Sequence, residues 1–383
     1  MKPKDLPTNR LRALFVLADL EPGGAQRVVL TVIRHLNRNV FEPHLAIIDK
    51  TGPMAQDIPG NVPIHGFKVG KVRYALPGLL GLCRSLKPDT VISTLSHLNL
   101  SLIAGKVLFP SHTRLIVREA NTPSLRLRHA GRPWVYRLLY RSLYPHADRI
   151  ICNADYVKRD LERSFAIPPQ KITVIPNPVD LERIDLAKRN GHKGYSAKRR
   201  HLVAVGRLNY QKGFDVLLKA FQHILQKVPD LHLTIVGGGP DEDLLRKMAE
   251  DLFITDSVTF AGYQVNPYPY MAHADLFVSS SRWEGLPNAV LEALACGTPV
   301  VAFDCPGGIR EIIQEGNNGW LIPAGDWEFM SKKVVELMTE KAYRLGEARE
   351  LLPVACICDN VVRAYEKLLM ESSRLKAQSS KLQ

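Results

Sequence analysis

The stretch LFVSSSRWEGLPNAVLEALACGTPVVAF, residues 276–303, decides how the chain folds. It opens on an apolar, β-favouring run (LFVSSS) and breaks at a Gly/Pro loop. Good helix formers follow up to Gly297, and a second apolar run, PVVAF, comes next. Strand, loop, helix and strand in so short a span read as a βαβ unit, which sets the two strands parallel. Pro287 suits the first turn of the helix. The unit also carries Glu284 in the loop and Glu292 eight residues later, inside the helix.

Upstream, HLVAVG, LHLTIVGG and VTFAG alternate with helical stretches in the same way. An earlier series repeats the pattern: ALFVLA, HLAIID, TVISTL, RLIVREA and DRIICN, with helices over residues 25–37 and 157–165 among its connections. These runs are continuously apolar, as parallel strands covered on both faces are. The chain has 383 residues, too many for one ordinary core. The expectation is therefore an α/β protein of two Rossmann-like, doubly wound domains facing across a cleft lined by strand C-terminal ends. Residues 1–185 would form the first domain and 201–355 the second. The basic, unpatterned LAKRNGHKGYSAKRR (186–200) would link them, and a helix within 356–383 would pack back on the first domain.

The net charge of +13 is unevenly spread. Residues 1–200 hold 33 Lys and Arg against 15 Asp and Glu, and the remainder hold 18 against 23. The first half should therefore meet something anionic, a membrane surface or nucleic acid. Six scattered cysteines show neither a disulfide framework nor paired zinc spacing, and Cys356-Ile-Cys358 has no second pair near it, so a reduced compartment and no metal are expected. The first apolar stretch carries Arg12 and Asp19 and reads as a strand rather than a secretion signal. No apolar run approaches the length of a spanning helix.

Four loops follow strands and precede helices. In EPGGAQR, Gly23 and Gly24 allow close backbone approach at a helix N-terminus, which suits a diphosphate. GRLNYQKGFD brings the cations Arg207 and Lys212 to a strand end and a helix start. IVGGGPDEDL resembles a dinucleotide fingerprint but has Glu242 at the third glycine position, so that reading fails; Gly237 and Gly238 remain candidates for the nucleoside. Asp241, Glu242 and Asp243 read as helix-start acids rather than metal ligands. In the fourth loop, Glu284 and Glu292 can accept hydrogen bonds from the vicinal hydroxyls of a sugar and a ribose.

At these residues the chain resembles the glycosyltransferases of family 4, also called group 1, which have the GT-B fold. The resemblance covers nearly the whole chain through PGGAQR, PNPVD (176–180), GRLNYQKGFD, VGGGP and EGLPNAVLEALACGTPVV, an E-x7-E motif. It implies a retaining, metal-independent hexosyltransferase that uses a nucleotide-diphospho-sugar, UDP-linked, and needs no cofactor. By resemblance, Arg207 and Lys212 hold the donor diphosphate, Gly24 approaches it, and Glu292 binds ribose. Glu284 and the segment Gly285, Leu286, Pro287 and Asn288, through the free amides of Leu286 and Asn288, hold the sugar, with Tyr263 completing the donor set. Phosphoinositide mannosyltransferases of the family carry His-Glu-Pro-Asn-x-Pro-Ser; here REANTPS (118–124) puts Arg118 at the histidine position. That departure looks more like members that add hexoses or N-acetylhexosamines to polyprenyl-diphosphate (undecaprenyl-type) or lipid A acceptors in surface polysaccharide assembly. The expected catalytic set is Glu284, Arg207, Lys212 and Arg118, with His97 as a further candidate.

The segment 126–149 mixes arginines with Trp134, Tyr136, Leu138, Leu139 and Tyr140, which suits an anionic bilayer. A cytoplasmic protein, peripheral on the inner face of the cytoplasmic membrane, is the expected setting. Two rival readings fit the sequence less well. A nucleotide-sugar epimerase of similar fold would leave the basic half without a role. A nucleic-acid-binding protein lacks a recognised motif, and the aromatics sit among leucines rather than on a stacking platform.

Overall fold

The computed structural model describes residues 10–67, 69, 72–189, 195, 199–340 and 347–379. The chain divides into two compact units, Met1–Pro178 with Cys358–Gln383, and Val179–Ile357. Both are α/β with one parallel sheet each among the described residues.

The first sheet contains β1 (Leu11–Leu17), β2 (Phe41–Ile47), β3 (Ile64–Gly66), β4 (Thr90–Thr94), β5 (Arg114–Glu119), β6 (Arg149–Cys152) and β7 (Ile172–Val174), in the order β3-β2-β1-β4-β5-β6-β7. All five residues of β4 are buried, as expected for a central strand with helices on both faces. The order reverses between β1 and β4. This is the switch point at which ligands bind beyond strand C-terminal ends. The helix Gly24–His35 follows β1 and buries Val28, Val29, Val32 and Ile33 on the sheet. The C-terminal helix Cys358–Ser379 belongs to this unit. Val361, Tyr365, Leu368 and Leu369 join that same core, each worth about 1.5–3 kcal/mol when fully buried.

The second sheet contains β8 (Arg200–Val205), β9 (Leu231–Val236), β10 (Val258–Gly262), β11 (Leu276–Ser279), β12 (Val300–Asp304) and β13 (Gly319–Pro323), in the order β10-β9-β8-β11-β12-β13. Its switch point lies between β8 and β11. Strands β11 and β12 and the helix Asn288–Cys296 between them are the βαβ unit read from the sequence, and the strands pair in parallel.

The boundary between the units falls inside PNPVD, earlier than the linker expected at 186–200. Of that segment, residues 190–194 and 196–198 lie outside the described residues. Its start is helical: Leu181–Lys188 is capped by Asp180, whose side chain accepts from Arg183 N at 3.0 Å. Asp185 then takes the guanidinium of Arg349 in two bonds of 2.6 and 2.7 Å, which fastens this helix to the second unit. Burial raises the Asp185 carboxyl only in part, and Arg349's hydrogen bonds, the largest influence, hold it well below the usual carboxylate range.

Candidate active site

Strands β8 and β11 are neighbours, so the loops that leave their C-terminal ends must meet. The loop after β8 carries Arg207 and Lys212, and the loop after β11 carries Glu284. Hydrogen bonds join the two. Arg282 N donates to Gln211 O at 2.8 Å, Gln211 Nε2 donates to Trp283 O at 2.8 Å, and Ser280 Oγ donates to Lys212 O at 3.0 Å. Arg282 lies over the Tyr210 ring, 4.0 Å from its centroid, and forks onto Asp215 at 2.9 and 2.7 Å. Burial raises the Asp215 carboxyl, but the Arg282 hydrogen bonds and charge outweigh it and leave a net downward shift. Gly213 sits at φ +65°, and a Cβ there would lie 2.1 Å from Ser280 O. Only glycine fits that crossing.

Within this frame Lys212 Nζ donates to Glu284 Oε1 at 2.5 Å, and Ser281 Oγ donates to the same oxygen at 2.7 Å. Glu284 is 7% exposed. Its backbone is fixed from the next loop as well: Glu284 N donates to Pro306 O at 2.9 Å and Gly308 N to Gly285 O at 2.6 Å. Gly307, at φ +144°, backs onto Glu284 O. Arg207 is exposed and, among the described residues, makes no ion pair. Leu286 and Pro287 are buried, and Asn288 opens the helix that carries Glu292, itself 9% exposed. A carboxylate, two cations and a helix start thus converge on one end of this sheet.

The triple glycine after β9 has a packing reason that the sequence did not disclose. Gly237 adopts φ +144°, and a Cβ there would lie 1.9 Å from Gly206 O; one on Gly239 would lie 2.3 Å from Leu208 O. The two loops are zipped by Gly206 N to Val236 O and Leu208 N to Gly238 O, both 3.0 Å. Gly237 therefore serves loop packing. At Gly238 a Cβ would meet only the Cβ of Tyr263, at 3.9 Å, so this position is the open one. Tyr263 is 36% exposed beside it.

In the first unit, Gly23 is the N-cap of the helix Gly24–His35, in extended conformation. A Cβ on Gly23 would lie 2.3 Å from Gln26 Oε1, and Gln26 is held by Asp19 at 2.7 Å. The expectation that Arg118 acts in catalysis meets a different geometry. Arg118 is 1% exposed, its Nη2 donates to Asn177 Oδ1 at 2.5 Å, and it lies beside Tyr365 of the C-terminal helix. A guanidinium so enclosed ties β5 to the end of the first unit and is shut off from solvent. The adjacent Glu119, which sequence reading passed over, is the centre of a buried network. It accepts from Tyr140 at 3.1 Å, from Asn99 at 3.2 Å, from Ser96 at 3.4 Å and from Tyr144. Burial pushes its carboxyl up, against those hydrogen bonds. Arg126 Nη1 donates to Ser96 Oγ at 2.7 Å, so the network reaches the exposed His97 next in the chain. Burial, then Arg126, lower the His97 pKa while Asp19 opposes.

Residues 189–350 match the family described as glycosyl transferases group 1, and residues 22–183 match glycosyltransferase family 4. The N-acetylgalactosamine-N,N'-diacetylbacillosaminyl-diphospho-undecaprenol 4-alpha-N-acetylgalactosaminyltransferase of Campylobacter jejuni is 30% identical over 341 residues, covering 85% of this chain and 90% of that protein. The lipopolysaccharide core biosynthesis glycosyltransferase LpsE of Rhizobium meliloti is 30% identical, covering 53% and 57%. Among solved structures, Anabaena HepE in complex with UDP has a TM-score of 0.74 at 18% identity, covering 94% of this chain and 100% of that one. The chain is a glycosyltransferase and belongs to family 4, the group 1 glycosyltransferases, with the GT-B fold.

Proposed function

We propose that the enzyme moves a hexose or N-acetylhexosamine, with retention, from a UDP-sugar to a lipid-linked glycan acceptor in surface polysaccharide assembly. The observation that carries the reading is the meeting of unpaired Arg207 with the Lys212–Glu284 pair at the switch point of the second sheet. Cations and a sugar-hydroxyl acceptor on abutting loops suit the two ends of a diphospho-sugar. The similar Campylobacter enzyme is named for an undecaprenol-diphosphate acceptor, and HepE was solved with UDP; both support the choice of partners.

In this reading Arg207 and Lys212 take up the charge that grows on the leaving diphosphate, which makes a strong general acid and a metal unnecessary. Glu284 accepts hydrogen bonds from the sugar hydroxyls, the backbone after it supports the sugar, and Glu292 accepts from the ribose. Substitution proceeds on the front face through an ion-pair-like transition state. The anomeric C–O bond to phosphate breaks as the acceptor oxygen approaches, and the departing phosphate oxygen receives the acceptor proton. The basic first unit faces the acceptor, and the enzyme works peripherally on the cytoplasmic face of the membrane. Among the described residues no helix is long and apolar enough to cross one.

A screen of radiolabelled UDP-hexoses and UDP-N-acetylhexosamines against polyprenyl-diphosphate-linked acceptors, with NMR of the product anomer, tests this. Retention without a trappable glycosyl-enzyme is expected. An inverted product or a covalent adduct would overturn the mechanism.

A further inference from the structure

The first unit presents a face that its own core does not use. Helix Pro133–Leu143 packs inward through Tyr140, fully buried and stacked on Tyr144 at 4.2 Å between centroids. One turn apart on its other side, Trp134 is 71% exposed and Leu138 58%. Arg141 continues the same stripe, and Arg137 flanks it. Arg128 and Arg132, just before the helix, are exposed too. Among the described residues none of these four arginines makes an ion pair. Residues 120–147 contain five arginines and no Asp or Glu, so the stretch supplies no charge of opposite sign.

The exposed Trp134 and Leu138, ringed by arginines without ion pairs among the described residues, add nothing to the core of this unit. A water-exposed helix face ordinarily carries polar residues of both signs. Large apolar groups flanked by cations match the boundary of an anionic bilayer, where the rings enter the headgroup layer and the guanidinium groups meet lipid phosphates. Topology gives the orientation. The helix leads from the end of β5 back to the start of β6, so its N-terminal turn, with Trp134, lies at the edge where β4 and β5 end. That edge also carries Ser96, His97 and Arg126.

We propose that this face is the membrane-docking surface. Trp134 and Leu138 insert into an anionic leaflet, and the C-terminal edge of the first sheet is thereby held at the lipid surface. This deepens the reading of a lipid-linked acceptor by naming the element that meets the membrane, and it rests on that reading only for the acceptor.

The test is flotation of the full chain with vesicles of phosphatidylglycerol and phosphatidylcholine, or of phosphatidylcholine alone, with UDP titration in parallel. Wild type should float with anionic vesicles and not with neutral ones. Trp134→Ala/Leu138→Ala should lower partitioning at least about tenfold. Arg137→Glu/Arg141→Glu should lower it by well over tenfold, since each basic residue near such a surface is worth about fivefold. UDP affinity and melting temperature should not move in either variant, because all four side chains are exposed. Unchanged flotation in both variants, or no flotation of wild type, would overturn the docking surface. So would loss confined to binding of a single-stranded nucleic acid probe. Failure of UDP binding with flotation intact would count against the donor-site reading and leave this inference standing.

Discussion

Changing Glu284 to Gln separates the two jobs assigned to the Lys212–Glu284 pair. Lys212 Nζ is held at 2.5 Å by a carboxylate that is 7% exposed, so a diphosphate must compete with Glu284 for the ammonium. Glutamine keeps the shape and can still accept from Ser281, now at 2.7 Å from Oε1. It converts a charge-assisted hydrogen bond, worth about 1.5–3 kcal/mol, into a neutral one of about 0.5–1.5 kcal/mol. About 1 kcal/mol of competition is removed, so UDP should bind roughly fivefold tighter. The hydrogen bonds from the sugar to an ionised acceptor weaken by the same charged-to-neutral difference, about 1 kcal/mol, so kcat/KM should fall roughly fivefold for each. Calorimetric titration with UDP and initial rates with the donor found by screening read the two effects on one protein. Opposite signs are the signature. Tenfold weaker UDP binding in Glu284→Gln, or an unchanged rate, would refute the assignment of Lys212 to phosphate and Glu284 to sugar.

Arg207→Ala should leave thermal stability within about 0.5 kcal/mol, as expected for an exposed residue without an ion pair, yet weaken UDP about 10- to 150-fold in the same titration. Gly213→Ala places a Cβ 2.1 Å from Ser280 O at φ +65°, so it should separate the two site loops and lower both the melting temperature and UDP affinity. Asp185 is held below the usual carboxylate range by Arg349, so its contribution is complete above the unfolded pKa near 3.9 and is lost as pH falls through the lower folded value. Melts between pH 2 and 7 should show Asp185→Asn about 1 kcal/mol less stable at pH 7, with the difference closing toward pH 2.

Much of the architecture was readable because central parallel strands leave a local signature: β1, β4, β5, β8, β9, β11 and β12 each carry an apolar run of β-favouring residues, with polar residues mainly at the ends. The edge strands β3, β7 and β13 were not named, since Ile64-His65-Gly66 is largely exposed and β13 ends in a proline. The division at Pro178 was not legible either. The helix Leu181–Lys188 packs on helices of the second unit, and its Asp185 meets Arg349, 164 residues away, which no local pattern encodes. At the candidate site the residue types were readable from their loops, but their partners were not. Lys212, Asp215 through Arg282, and the Gly307–Gly308 turn support Glu284 from elements that only the sheet order brings together, whereas Ser281 lies three residues away in the same loop. Gly237 shows that one glycine can carry two reasons: the sequence suits it to a nucleoside contact, and the structure adds that a Cβ there would meet Gly206 O. The motif alone places Arg118 among the candidates, whereas its burial against Asn177 depends on chain 59 residues away. Glu119, beside it, was available in the same motif.

The most direct test of the central claim is calorimetric titration of the full chain with UDP, GDP and ADP, repeated with Glu292→Ala. The account predicts tight binding of one nucleoside diphosphate, UDP, and a marked loss in a variant that remains folded. Binding of no diphosphate, or a Glu292→Ala protein that binds UDP as wild type does, would contradict it.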